Sequence, residues 1–163
     1  MTARRLGRTL LLAAVLGGAA RADAWAQQVV LISLPASVGF TVTDVGQPAS
    51  GNPDPTTISF TIVNLALFHV LRVSVKADAD FVPPSGAAIP ASRVSWTTSN
   101  ASQATGSSGT MSTAAFTEVF ETGSGVVGAG SVDVHWTLAA PGPSIRAGSH
   151  IATIRWRLES VVP

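Results

Sequence analysis

Ser131-Val132-Asp133-Val134-His135-Trp136-Thr137-Leu138 is a stretch in which apolar and polar residues alternate. Ala152-Thr153-Ile154-Arg155-Trp156-Arg157-Leu158 shows the same pattern, and both stretches end in a W-x-L motif. Successive side chains of a β-strand point to opposite faces, so the apolar residues of each stretch share one face. We therefore predict that the last third of the chain contains two β-strands and that each strand buries one indole.

The rest of the chain favours the same class of structure. After residue 27 no stretch carries apolar residues at helical spacing for two turns, whereas alternating runs recur between clusters of Gly, Pro, Ser and Asn. We predict about eight strands in an all-β, antiparallel, two-sheet immunoglobulin-like β-sandwich, with a closed barrel as the alternative. The segments Gly46–Pro55, Ser99–Gly109 and Gly123–Gly130 are predicted to be loops or turns. The strands expected before the two tryptophan strands are Val29–Leu34, Val38–Thr43, Thr57–Ile62, Phe68–Ala77, Ser92–Thr97 and Thr113–Phe120.

The first 26 residues have the layout of a secretory signal peptide. Arginines at positions 4, 5 and 8 precede a short apolar run, Leu10–Leu16, and two A-x-A sites follow. We predict cleavage after Ala26, which leaves residues 27–163 as one β-sandwich domain. An uncleaved N-terminal anchor and twin-arginine export are the alternatives.

The composition limits the classes of partner. Without the predicted leader, six of the ten basic residues and eight of the nine acidic residues remain, so the net charge falls from +1 to −2. There is no basic stripe that would attract a phosphate backbone, so we predict no nucleic-acid binding. No stretch after the leader reads as transmembrane, so we predict no membrane span after signal removal. With no cysteine and only 12% charged residues, the domain must rely on its core, and its surface must be mostly neutral. Such a surface suits packing against other chains or cell-wall polymers.

The histidines do not show the spacing of a metal site. His69, His135 and His150 are far apart in the sequence, and no cysteine accompanies them. We predict surface or loop positions for all three, with His135 pointing outward because Trp136 points inward.

The acidic residues could at most provide a weak calcium site. Asp78 and Asp80 form a D-x-D pair, with Asp44 and Asp54 in other loops. Ca²⁺ takes six to eight oxygen ligands, and no third acid or glycine accompanies the pair in the sequence. We therefore favour a strand end that is capped by solvated carboxylates.

The sequence predicts no enzyme, no cofactor and no catalytic residue. Ser, His and Asp are present, but no G-x-S-x-G elbow positions a nucleophile. Glu118 and Glu121 are expected on opposite faces of one strand, so they would not form a carboxylate pair for glycoside hydrolysis. The glycines of residues 123–130 lack the G-K-[ST] of a phosphate-binding loop. The tryptophans after the leader are expected to lie in the core: Trp96, Trp136 and Trp156.

The region from Phe68 to Leu158 resembles the WxL type of bacterial cell-surface domain. The resemblance rests on the two W-x-L motifs, the alternating last strand from Ile154, and the I-P-A-S segment that starts at Ile89. It implies non-covalent attachment to the cell wall and partnership with other surface proteins. The chain also resembles fimbrial subunits, which are exported, all-β and rich in Ala, Gly and Thr, and in which Gln27–Leu34 would correspond to a donor strand.

From these features we expect a secreted or cell-surface domain with a structural or adhesive role and no turnover. Its partner would be a cell-wall polymer or another surface protein. One alternative is a pilin-like subunit that assembles by strand addition, in which case the protein would form a homo-oligomer. A small periplasmic enzyme is a further alternative.

Overall fold

The computed structural model describes residues 29–81 and 87–163, and the predicted leader lies outside the described residues. Within these two ranges, one 3₁₀ turn, Ala91–Arg93, accompanies eleven strands. The strands are β1 (Val29–Ser33), β2 (Ser37–Val42), β3 (Ala49–Asn52), β4 (Thr56–Asn64), β5 (Val70–Ala77), β6 (Val94–Ser102), β7 (Ala104–Gly106), β8 (Gly109–Thr110), β9 (Thr117–Thr122), β10 (Gly128–Leu138) and β11 (Gly148–Val161). The prediction of an all-β protein is confirmed.

Every strand pair is antiparallel, as predicted. The hydrogen-bonded order is β1-β4-β10-β3-β2-β11-β5-β9-β7, and β6 branches from β10 and carries β8. The short strand β3 joins the β1-β4-β10 part of this order to the part that begins with β2. Its residue Ser50 pairs with Thr137 of β10, and Gly51 pairs with Phe40 of β2. Among the described strands, β1, β7 and β8 each pair with one neighbour only, so the sheet has open edges.

All eight predicted strands are present, and three short strands were not predicted. The segment Ser99–Gly109 was expected to be a loop, but it contains the end of β6, all of β7 and the start of β8. The loop prediction for Gly46–Pro55 missed β3 in the same way. These strands are held by backbone pairing rather than by an apolar pattern, because their residues are Ala, Ser, Gly, Thr and Asn. The Gly-rich turn region also ends earlier than expected, since β10 begins at Gly128.

The two tryptophan strands differ in burial. Trp136 is 1% exposed and Leu138 is fully buried, as predicted. Trp156 is only half-buried, and Leu158 is 40% exposed, so the expected burial of the second W-x-L motif is correct in part. Part of the second indole faces the β1–β2 linker, because Trp156 Nε1 donates a hydrogen bond of 2.7 Å to the carbonyl oxygen of Pro35.

The core is organised around aromatic rings. Trp136 lies opposite Trp96 in the β6–β10 pair, with ring centroids 5.5 Å apart. The ring of Trp156 meets Trp136 edge-on at 6.4 Å, although β10 and β11 share no hydrogen bonds. Phe60 of β4 stacks on Phe120 of β9 at 5.5 Å, again between strands that are not paired. Aromatic contacts of this kind add about 0.5–1.5 kcal/mol each beyond the burial of area.

Candidate functional site

A polar cluster lies on the outer face of the three neighbouring strands β4, β10 and β6. His135 is outward on β10 because Trp136, the next residue, is buried in the core. Ser99 lies two residues beyond Thr97, the cross-strand partner of His135, and therefore shares the outer face of β6. Asp54 lies in the turn between β3 and β4. The predicted outward position of His135 is thus confirmed.

These side chains form a continuous hydrogen-bonded chain. Ser99 Oγ lies 2.9 Å from His135 Nε2, and His135 Nδ1 lies 2.8 Å from Asp54 Oδ1. A carboxylate can only accept hydrogen bonds, so Nδ1 of a neutral His135 must carry the proton. Nε2 is then the acceptor, and the Ser99 hydroxyl must donate to it. We call this arrangement the Ser99–His135–Asp54 chain.

A second hydrogen-bonded group lies next to the Ser99–His135–Asp54 chain. Asp133, two residues before His135, accepts hydrogen bonds from Thr57 Oγ1 at 2.6 Å and from Asn100 Nδ2 at 2.9 Å. These bonds stabilise the ionised carboxylate, so the pKa of Asp133 lies below its ordinary value, with the nearby His135 as a smaller contribution. The backbone of Asn100 is left-handed, with φ of 47°, where β6 passes an irregularity in its pairing with β10.

The sequence alone does not predict the Ser99–His135–Asp54 chain, because its three residues are far apart in the sequence. Ser99 and His135 are 36 positions apart, and Asp54 and His135 are 81 positions apart. The G-x-S-x-G elbow is a local sequence motif, whereas here cross-strand register brings the three residues together. The available signal was the outward parity of His135, but the register of β6 against β10 was needed to name its partner.

The edge strand β1 forms a second candidate surface. Its sequence, Val-Val-Leu-Ile-Ser, carries no charge, and β1 pairs only with β4 among the described strands. Leu31 is 64% exposed and lies opposite Thr61, on the same outer face as Val63, which is 55% exposed. We call the surface of Leu31 and Val63 the apolar edge.

The outer face of β5, β9 and β11 carries paired charges. Arg72 forms ion pairs with Glu118 at 3.0 Å and with Glu121 at 2.8 Å. The prediction that the two glutamates lie on opposite faces is wrong, because an irregularity in the β5–β9 register buries both Val119 and Phe120. The hydrogen bonds that Arg72 donates to Glu121, followed by the charges of both glutamates, raise the pKa of Arg72.

The ring of Phe116 lies close to two cations, Lys76 of β5 and Arg157 of β11. The ammonium of Lys76 lies 5.2 Å from its ring centroid, and the guanidinium of Arg157 lies 4.8 Å from it. Phe120 is fully buried, whereas Phe116 is half-buried on the cationic side. The structure therefore presents an aromatic ring with two cations within cation–π distance of it.

The other two histidines, His69 and His150, make separate contacts with the protein. His69 Nδ1 lies 2.9 Å from Ser160 Oγ. His150, predicted to be a surface or loop residue, is instead 3% exposed, with Nε2 at 3.0 Å from the carbonyl oxygen of Arg146. Its position follows from the alternation of β11, which turns His150 to the same side as the buried Ala152.

The D-x-D pair is engaged by the protein itself. Asp78 forms an ion pair with Arg155, and Asp80 Oδ1 accepts a hydrogen bond of 2.8 Å from the amide of Ala91. Neither Asp44 nor Asp54 joins the pair, since Asp44 accepts from the amide of Gly46 in its own turn. Within residues 29–81 and 87–163, no three His, Asp or Glu side chains are placed to hold a metal ion.

No family model, no curated protein and no solved structure matches this chain. In the part of the chain that the structure describes, no helix has the length and apolar character needed to cross a membrane.

Proposed function

We propose that this chain is a structural or adhesive domain of the exported kind, and that it assembles by strand addition at the apolar edge. The observation that carries the proposal is strand β1, an uncharged edge strand with an exposed leucine at its centre. Secretion to the cell surface rests on the signal-like arrangement of residues 1–26.

Open strand edges attract other strands, because their unpaired N–H and C=O groups form a template for pairing. Proteins that avoid this pairing place charges, prolines or bulges on the edge. None of the five residues of β1 is charged or a proline, and its one register shift lies between Val29 and Val30, at the start of the strand. The edge is thus suited to accept a further strand, with Leu31 as its side-chain contact.

The inner architecture supports a rigid structural role. We infer that the strands form an immunoglobulin-like sandwich, in which Phe60 and Phe120 join one pair of facing strands and Trp136 and Trp156 join another. A domain of this kind presents its edges and outer faces in fixed positions, and assembly then needs little ordering of the chain.

Cell-wall binding is the second candidate function, and the surface around Phe116 favours it. The W-x-L indole of Trp136 is buried in the core, so it is not available as a ligand platform. A wall polymer would instead meet Phe116 and the cations of Lys76 and Arg157 that lie close to its ring. A pull-down with purified cell walls, comparing wild type with Phe116→Ala, tests this candidate through the loss of the bound fraction.

Sedimentation equilibrium of the whole protein tests the assembly proposal. We expect self-association that rises with protein concentration and that is lost in Leu31→Lys, because a charge on the edge opposes strand pairing. Leu67→Lys is the matched control, since Leu67 is 80% exposed and lies in the turn between β4 and β5. A monomer at all concentrations, or equal effects of the two variants, would contradict the proposal.

A further inference from the structure

We propose that Ser99 is a nucleophile for small, activated carboxylic esters, with His135 as its general base and Asp54 as the residue that orients the base. This activity goes beyond the proposed structural role. It also uses a different part of the surface, since Asp54 precedes β4 whereas the apolar edge meets β4 near Thr61. The five residues from Thr56, where β4 begins, to Thr61 span roughly 17 Å along the strand.

The geometry meets two requirements for an activated serine. The hydroxyl of Ser99 is within hydrogen-bond reach of a ring nitrogen, at 2.9 Å. That nitrogen is a proton acceptor, because Asp54 holds the proton of the neutral imidazole on Nδ1 at 2.8 Å. Nucleophile, base and orienting carboxylate thus stand in the order that the serine–histidine–aspartate arrangement requires.

The neighbouring serines of the same strand provide a comparison. Ser95 lies on the same outer face of β6 as Ser99 and is more exposed, and its cross-strand partner is Thr137. Ser99, by contrast, has its hydroxyl oxygen 2.9 Å from His135 Nε2. Exposure alone would therefore favour reaction at Ser95, whereas activation by His135 favours Ser99. The two residues separate accessibility from activation within one protein molecule.

The reaction balances without any further co-reactant. The Ser99 oxygen attacks the ester carbonyl carbon while its proton passes to His135 Nε2, and the alcohol leaves with that proton as the C–O bond breaks. Water then attacks the acyl–serine ester, gives a proton to Nε2, and releases the carboxylic acid as the proton returns to Ser99. Asp54 remains a carboxylate throughout and stabilises the imidazolium that forms.

The rate is expected to be low. Efficient hydrolysis needs donors aimed at the carbonyl oxygen in the transition state, and each such donor contributes about 10²–10³ in rate. The described contacts around Ser99 include the base but no pair of backbone donors, so we expect stoichiometric acylation to be easier to detect than rapid turnover. The leaving group must be good, which is why the substrate class is an activated ester.

The test is covalent labelling of the whole protein with a fluorophosphonate probe, with the modified serine located by mass spectrometry. A general base contributes about 10²–10⁴ in rate, so we expect the Ser99 adduct to exceed the Ser95 adduct about a hundredfold. Release of p-nitrophenol from p-nitrophenyl acetate should show the same dependence on Ser99. Equal labelling of the two serines would overturn the proposal.

Variants distinguish activation from folding. His135→Gln and Asp54→Asn should each reduce Ser99 labelling at least about tenfold, and Asp54→Glu should restore part of it. Asp133→Asn is the matched control, because it removes a carboxylate beside His135 while leaving the Ser99–His135–Asp54 chain intact. Unchanged labelling in His135→Gln, or equal losses in Asp54→Asn and Asp133→Asn at equal folded fractions, would contradict the assignment.

Discussion

At the scale of single residues, the absence of a side chain decides where the large rings can lie. A Cβ atom built on Gly109 would overlap the indole of Trp96, and one built on Gly130 would overlap the ring of Phe60. Both aromatic residues are buried, at 2% exposure. Each glycine lies directly opposite its aromatic residue on the paired strand and so makes room for the ring.

Gly109→Ala should therefore destabilise the protein by about 1–3 kcal/mol, the range for overpacking a core. The indole of Trp96 is rigid and cannot withdraw without losing its contact with Trp136. Gly39→Ala is the control, since the nearest atom to its added methyl would be the carbonyl oxygen of Asn52 at 3.7 Å. Chemical denaturation of both variants measures the difference, and an equal loss in the two would contradict the explanation.

The carboxylate of Asp133 predicts a second, pH-dependent effect. Its pKa is lowered in the folded protein by hydrogen bonds from Thr57 and Asn100, while the ordinary value is 3.8. Its contribution to stability is therefore present above pH 3.8 and is lost as the pH falls through the lower folded value. The stability difference between wild type and Asp133→Asn, measured by denaturation between about pH 6 and pH 2, should shrink below the ordinary value. A difference that does not change over this range would show that these bonds do not favour the charged form.

At the scale of strands, the alternation of apolar residues was sufficient to locate eight elements and to turn His135 outward. It was insufficient for β3, β7 and β8, because short strands of small polar residues gain their stability from backbone pairing with neighbours. It also failed for Glu118 and Glu121, because an irregularity in the pairing of β9 breaks strict parity. The Ser99–His135–Asp54 chain depends on register, which local alternation does not determine.

Strand β11 contacts the β1–β2 linker through the indole of Trp156 and through the amide of Ile154, which donates a hydrogen bond of 3.0 Å to the carbonyl oxygen of Ala36. Trp156→Phe keeps a ring against Trp136 but removes the hydrogen bond from Nε1 to the Pro35 carbonyl oxygen. We expect a loss of about 1 kcal/mol in the free energy of unfolding. Thermal and chemical denaturation measure this loss, and stability equal to that of wild type would show that water replaces the indole as a partner.

At the scale of the whole molecule, two separate properties lie on the outer surface of the same group of strands. Among the described strands, β1 at the apolar edge pairs on one side only, and the polar cluster holds an imidazole between a serine and a carboxylate. The core between the strands is built from paired indoles and phenyl rings, which keeps both surfaces in place. We interpret the chain as a rigid exported domain that associates through its edge.

Amide hydrogen exchange of β1, measured residue by residue at low and high protein concentration, tests the central claim most directly. The account predicts that amides of Val30–Ser33 that do not pair with β4 exchange more slowly as concentration rises, while Leu31→Lys abolishes the change. Exchange rates in β1 that stay the same at every concentration would contradict assembly through this edge.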